Sequence, residues 1–305
     1  MRRRSLMALM AGIACGFTGP EAEAQMSSPN TSVHKPEAEA YQSPYALAFS
    51  CPQSDLAAGF DQTPWNDPQS EAMEPFAAWD ATHARSPGAA WGPPARHYPV
   101  PRLPRQDEAY RRERVIFVAA LHIGLAYQHH HLPSWAPPPG WPWLRVAAGV
   151  NGPGLDCSNF SAFVFNYALG LRLPTAIGMQ AVQLSLEGPG GTGCQPVSRV
   201  HRARYGALLA ALQPADLLYF RDRRGRIRHA GFWIGTLAGT PLILDSTDTR
   251  HRDGRGQMVP TGVHLRPFDE GGWYWRHFSH AHRLIGAEAR ACRPPGSFPE
   301  GDDRA

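Results

Sequence analysis

The rhythm of hydrophobic and polar positions divides the chain into stretches of different character. From residue 25 to about 104 there is no sustained apolar period. Pieces such as TPWNDP and SPGAAWGPPARHYPVPRLP, rich in Pro, Ser, Ala and Gly, read as an irregular arm. Trp65, Phe76, Trp79 and Trp91 are more aromatics than a plain linker needs, so parts of this arm are expected to dock on the folded domain. Order begins near Gln106, where DEAYRRERVIFVAALHIGLAY carries an apolar stripe at Val115, Val118, Ala119 and Leu121-His122 and predicts a helix packed on a core. Between Gln128 and Gly154 lies a Pro/Gly/Trp-rich loop, long enough to be functional rather than a simple connection. The clearest helix follows Asp156. Phe160, Phe163, Val164, Tyr167 and Ala168 recur at helical spacing and form a single apolar face. Asp156 is a good N-cap and Gly170 a good stop. RARYGALLAALQ is a further helical stretch ending before Pro214.

Beyond Pro214 the period becomes two. ADLLYF, HAGFWIG and PLILD are short and apolar, separated by RDRRGR and TLAGT, and predict consecutive antiparallel strands. A last strand near WYWRHFSHAHRLI is expected to close the sheet. Helices followed by a meander give an α+β domain over residues 105–290, preceded by the arm (25–104) and followed by a Pro/Gly-rich, acidic, disordered tail (291–305). No internal repeat is evident.

Composition narrows the picture. The chain has 305 residues, and its 30 Gly and 30 Pro fit the loop-rich reading, while 43% apolar residues suffice for one ordinary core. A net charge of +4 without a basic patch interleaved with stacking aromatics argues against nucleic acid as a partner. MRRRS, then LMALMAGIAC, then Ala22-Glu23-Ala24 form the n-region, h-region and cleavage pattern of a signal peptide (1–24). Export to the periplasm or outside is therefore expected, with no membrane-spanning segment after cleavage. Cys51, Cys157, Cys194 and Cys292 then remain. If one stays free to react, at most one disulfide forms among the other three, and the sequence leaves that pairing open.

Cys157 stands apart because of its neighbours. A thiolate is the reactive form of cysteine, and the first turn of a helix, with unpaired N–H groups and a positive dipole end, stabilises it. Cys157 directly follows the N-cap Asp156. A nucleophile also needs a base, and the base needs a third group to fix its ring. His229 opens HAGFWIG, and Asp245 ends PLILD. A five-residue loop over 235–239 sets His229 directly opposite Asp245, at the roughly 4.5–5.5 Å Cβ spacing of cross-strand neighbours. A tighter Ala238-Gly239 turn sets Asp248 there instead. Asp245 is preferred because it closes the apolar run, with Asp248 or His251 as the alternatives for the third role.

These residues carry a family resemblance. DCSNFSAFVFNYALGLRLP followed by MQA resembles the catalytic-helix motif of the NlpC family of cell-wall cysteine peptidases, in which Asp-Cys-Ser opens a helix ending in Gly-x-x-Leu-Pro with a Gln soon after. PADLLYF and RHAGFWIG resemble that family's Gly-Asp-Leu and His-Val-Gly-Ile-Tyr strands, and LILDST its strand bearing the third polar residue. The likeness spans roughly Tyr110 to Ile285. It implies a papain-like fold and hydrolysis of amide bonds in peptidoglycan stem peptides, typically between the D-glutamate side chain and a diamino acid. On that basis Cys157 is the nucleophile, His229 the base and Asp245 the orienting residue. Tyr127 matches a tyrosine near the oxyanion and substrate cleft. The third position is more often His in that family, and the loop before Cys157 is longer than usual, with three Trp.

The expected function is thus an exported thiol protease of the cell wall, needing no cofactor and no metal. Its rivals are a papain-like amidase acting on another amide or thioester, and an inactive wall-binding protein. His129, His130 and His131 lack a second ligand group at metal spacing and read as a polar loop. Trp135, Trp141 and Trp143 suit either a groove or loop packing. His277, His280 and His282 read as one alternating strand face, and the run from Arg221 to Arg228 as an exposed hairpin turn.

Overall fold

Alternation of side chains in the C-terminal half sorts them onto the two faces of one sheet. The computed structural model describes residues 41–60, 98, 100, 102–124, 127 and 155–286. The expected signal peptide, the three adjacent histidines, the tryptophan loop and the C-terminal tail lie outside these residues. The helices are α1 (Gln53–Leu56), α2 (Glu108–Ala120), α3 (Cys157–Leu169), α4 (Ile177–Val182), α5 (Tyr205–Ala211) and α6 (Trp273–His277). The strands are β1 (Ser185–Glu187), β2 (Cys194–Pro196), β3 (Ser198–His201), β4 (Leu217–Arg221), β5 (Ile227–Leu237), β6 (Thr240–Thr247), β7 (His251–Arg252), β8 (Met258–Val259), β9 (Gly262–Pro267) and β10 (Phe278–Arg283).

Six strands form one antiparallel sheet in the order β3-β10-β4-β5-β6-β9. Leu217, Tyr219, Ala230, Phe232, Leu242 and Leu244 point to one face and pack with Val115 and Val118 of α2 and with most of α3. Leu218, Phe220, Trp233 and Ile243 point to the other, where Leu208, Phe268 and Tyr274 cover them. The expected α+β architecture is the observed one, with one sheet between two helical layers.

Three local expectations are corrected. The helix after Asp156 is buried on every side, not on a single face, because Phe165 and Leu169 are enclosed as fully as Phe160 and Phe163. A helix this apolar all round is a core helix. Its polar side chains bond inside the fold: Asn166 Oδ1 accepts from the Tyr98 N–H at 3.0 Å, and Ser161 Oγ donates to Gln180 Oε1 at 3.0 Å. Second, the C-terminal strand does not close the sheet but lies within it, between β3 and β4. WYWRH coils as α6 before the strand begins, so His277 is helical and only His280 and His282 share the strand face. Both rings pack on Tyr219, with centroids 5.1 and 4.8 Å away. Third, the β5–β6 connection is the tighter turn. Leu237 pairs with Thr240, and Ala238 and Gly239 both have positive φ (49° and 80°), as a two-residue hairpin requires.

Part of the N-terminal segment is docked. Tyr45 and Leu47 join the main core, and the buried Arg114 donates from Nε to the Ala168 carbonyl at 2.7 Å and from Nη1 to that of Leu56 at 2.6 Å. Cys194 is disulfide-bonded, whereas Cys51 and Cys157 are free thiols.

The Asp156 carboxylate accepts from the Asn159 N–H at 2.8 Å and the Ser158 hydroxyl at 3.1 Å through Oδ1, and from Asn159 Nδ2 at 3.0 Å through Oδ2. Replacing Asp156 by Ala should destabilise the protein by about 0.5–2 kcal/mol, whereas Asn, which also caps, should recover most of that. Urea unfolding of the three proteins measures it.

Candidate active site

Cys157 occupies the first position of α3, where backbone N–H groups lack helical partners. The helix start is anchored from both sides. Gln180 of α4 donates from Nε2 to the Ser158 carbonyl at 3.3 Å and to the Pro174 carbonyl at 2.9 Å. On the other side, Ser246 Oγ donates to the Leu155 carbonyl at 2.5 Å. The Cys157 thiol lies 4.0 Å from the carbonyl of Arg228, the residue before His229, and is near enough to the His229 ring to act on its charge.

His229 Nε2 is 2.6 Å from Asp245 Oδ2. That nitrogen is occupied, so Nδ1 is the one free to face the thiol. Asp245 has no exposed surface and receives three side chains: His229, the Tyr274 hydroxyl at 2.7 Å on Oδ2, and Arg266 Nη1 at 2.5 Å on Oδ1. Tyr127 is buried beside Cys157 and Asp156.

The path from sequence to this geometry is not the expected one. The tight turn alone would set Asp248 opposite His229. A bulge between Trp233 and Gly235 then moves the register by one residue, so Phe232 pairs with Leu244. Because side chains alternate, that single step turns Asp245 onto the face of His229. The two are diagonal neighbours, and Gly231 is the residue against Asp245: a Cβ there would stand 2.9 Å from that of Asp245. The imidazole reaches past a position that has no side chain. Asp248 is exposed on the polar stretch beyond, and the His251 ring packs on Tyr274 with centroids 4.8 Å apart.

Burial alone would disfavour the charged imidazole of His229. The facing Cys157 charge and its hydrogen bond, together with Asp245, outweigh burial and lift the ring to about 10. Burial would also raise Asp245, but the Arg266 guanidinium, followed by His229 and Tyr274, holds it far below the usual carboxylate range. Tyr127 is pushed upward by burial and then by Asp156, Cys157 and Asp248, so its hydroxyl remains a neutral donor. His251 and His264 fall to about 4, chiefly through burial, and are neutral near pH 7. Among the described residues no group of His, Cys, Asp or Glu is arranged to hold a metal ion.

Arg266, Tyr274 and Gly231 were not singled out by sequence reasoning. The strand GVHLRP that carries Arg266 is not among the strands read from the sequence, and WYWRH reads as strand; the signal that could have pointed to a close approach is the glycine inside HAGFW.

The family model described as the NlpC/P60 family matches residues 146–281, the segment that holds Cys157, His229, Asp245, Arg266 and Tyr274. Residues 146–281 are thus similar to the NlpC/P60 family. The family is one of cysteine peptidases that act on the cell wall, and the helix-then-sheet order agrees with its papain-like α+β fold. A solved NlpC/P60 endopeptidase from Photobacterium damselae subsp. piscicida aligns at 14% identity and a TM-score of 0.32. The alignment covers 57% of this chain and 36% of that one, so the chain spans only about a third of that relative; a likeness this low supports no argument. No curated protein matches the chain. No described helix is long and apolar enough to cross a membrane.

Gly231→Ala tests the diagonal contact. The added methyl meets Asp245, and overpacking of this kind destabilises by about 1–3 kcal/mol. If the His229–Asp245 contact is what the glycine protects, alkylation of Cys157 should slow by more than the stability loss explains. Parallel thermal melts and iodoacetamide labelling separate the two.

Proposed function

We propose that the protein is an exported cysteine peptidase that hydrolyses amide bonds in peptidoglycan stem peptides, of the D-glutamyl to diamino acid type. The observation that carries this reading is the placement of the Cys157 thiol beside His229, with His229 Nε2 2.6 Å from Asp245, inside the segment that matches the NlpC/P60 family. Export rests on the N-terminal n-region, h-region and A-x-A pattern.

In this reading the Cys157 thiolate attacks the amide carbonyl, and an S–C bond forms as the carbonyl oxygen takes negative charge. The backbone N–H of Cys157 and the neutral Tyr127 hydroxyl donate to that oxygen. Protonated His229 delivers its Nδ1 proton to the amine as the C–N bond breaks. Water then attacks the thioester, giving a proton to His229 and releasing the acid and the thiolate. Asp245 does not exchange a proton; it fixes the ring through Nε2, so that the second nitrogen serves the reaction.

The ring's raised value sets the pH behaviour. His229 must be protonated to serve the leaving amine, and it stays so up to about 10. The alkaline limb of kcat/KM should therefore lie well above the usual imidazole range of about 6.5. The stability contributed by the protonated ring is fully present below that unfolded value and is lost as pH rises through about 10.

Incubating purified muropeptides with the wild type and with Cys157→Ala tests the reaction, with mass spectrometry identifying the bond. The wild type should release products and the variant none. Equal products from both proteins would remove Cys157 as nucleophile. A reactive thiol without any stem-peptide cleavage would favour a different amide or thioester as substrate.

A further inference from the structure

We infer that Arg266 is a positioning residue of this site: it keeps the buried Asp245 an anion, and so keeps His229 aligned on Cys157 at acidic as well as neutral pH. The inference rests on the Cys157–His229–Asp245 reading and extends it to a fourth side chain.

Asp245 lies on β6 with no exposed surface, and an isolated carboxylate in such a place tends to take up a proton rather than remain charged. The groups facing it can be followed element by element. From β5 comes His229, with the Cys157 thiol of α3 behind it; from α6, the Tyr274 hydroxyl, a neutral donor. From β7 comes His251, and from β9 His264, directly across the ladder. Burial holds both of these imidazoles neutral near pH 7. Beyond His229, Arg266 is then the cation on Asp245 among the described residues, with Nη1 at 2.5 Å from Oδ1. Asp245 would need a cation wherever Cys157 and His229 are already balanced against each other, since a lone buried charge is left over.

The guanidinium is itself fixed. Nη2 donates to the Pro260 carbonyl at 2.5 Å and the Gly262 carbonyl at 3.2 Å, and Nη1 reaches the His264 carbonyl at 3.2 Å. These acceptors are neutral, so among the described residues the negative partner of the fully buried Arg266 is Asp245. The Tyr274 hydroxyl shares Oδ2 with His229, whereas Arg266 takes the other oxygen. Charge neutralisation and ring alignment are thus divided between the two oxygens of one carboxylate.

The test is the pH dependence of Cys157 alkylation by iodoacetamide in the full-length protein, which needs no peptide substrate. In the wild type, Asp245 remains ionised throughout the working range, so the acid limb does not reflect it. In Arg266→Met, the acid limb should move up by about 1–3 pH units, the size of effect expected when an adjacent opposite charge is removed. Alkylation near pH 8 should change much less. Arg266→Lys, which retains the charge, should leave the limb at its wild-type position. Asp245→Asn combined with Arg266→Met has no carboxylate to titrate and no unpaired buried charge, so it should fold but react weakly across the acid range, as a protein without the anion at any pH. A merely structural Arg266 would lower amplitude and thermal stability without moving the limb, and that result overturns the inference. If the single Met variant does not fold, the double variant decides: wild-type alkylation throughout the acid range, without any anion behind His229, overturns the proposal as well. A shifted limb in a protein that cuts no stem peptide would overturn the substrate reading alone.

Discussion

The site depends on one carboxylate that has been taken out of water. Asp245 has no exposed surface, and its two oxygens accept from His229, Tyr274 and Arg266. A buried charge persists only when it is paired and hydrogen-bonded. Everything that places those three partners, from β5, α6 and β9, therefore bears on whether an anion stands behind the imidazole at all. The packing of the second sheet face has the same role: Phe220 lies edge-on to Tyr274 at 5.2 Å and is tilted on His229 at 5.7 Å, so the hydrophobic layer that excludes water also orients the donors.

Register is the second constraint, because it decides which acid becomes that carboxylate. A tight turn and a bulge a few residues away each shift the β5–β6 pairing, and only their combination brings Asp245 to the face of His229. Gly231 completes the arrangement by leaving the space through which a diagonal contact can pass. The strand's irregularity is thus part of the site. A regular ladder from the same turn would present Ser246, not Asp245, on that face.

The sequence was most legible where one residue type has one physical use. The capped start of α3, the left-handed stop at Gly170 and the strand sequence β4-β5-β6 all follow from local chemistry and period, and the side chains of Cys157 and His229 could be picked out by their positions in those elements. It was least legible where a residue's role comes from non-local pairing. Direct opposition of His229 and Asp245 was the wrong geometry, because a bulge leaves no mark in an apolar run such as HAGFWIG. Arg266 was overlooked because β9, the strand that carries it, was not read from the sequence, and its role appears only once that strand is paired with the buried acid. β10 was misplaced at the edge of the sheet because chain order and strand order differ there.

Precision of this kind also requires that the helix and the sheet be fixed to one another, since misplacement of reacting groups by about 1 Å can cost about a hundredfold in rate. The fold does this through backbone acceptors close to the chemistry. Ser246, the neighbour of Asp245, donates to the carbonyl of Leu155, two residues before Cys157. The thiol itself lies against the carbonyl of Arg228, the residue before His229. From the far side, Gln180 holds the Ser158 carbonyl, and Ser161 holds Gln180. The start of α3 is thereby registered against the strand that bears the imidazole and the strand that bears the carboxylate. The glutamine that the sequence motif placed after the helix acts in this structure as a brace for the helix start, one step removed from the reacting atoms.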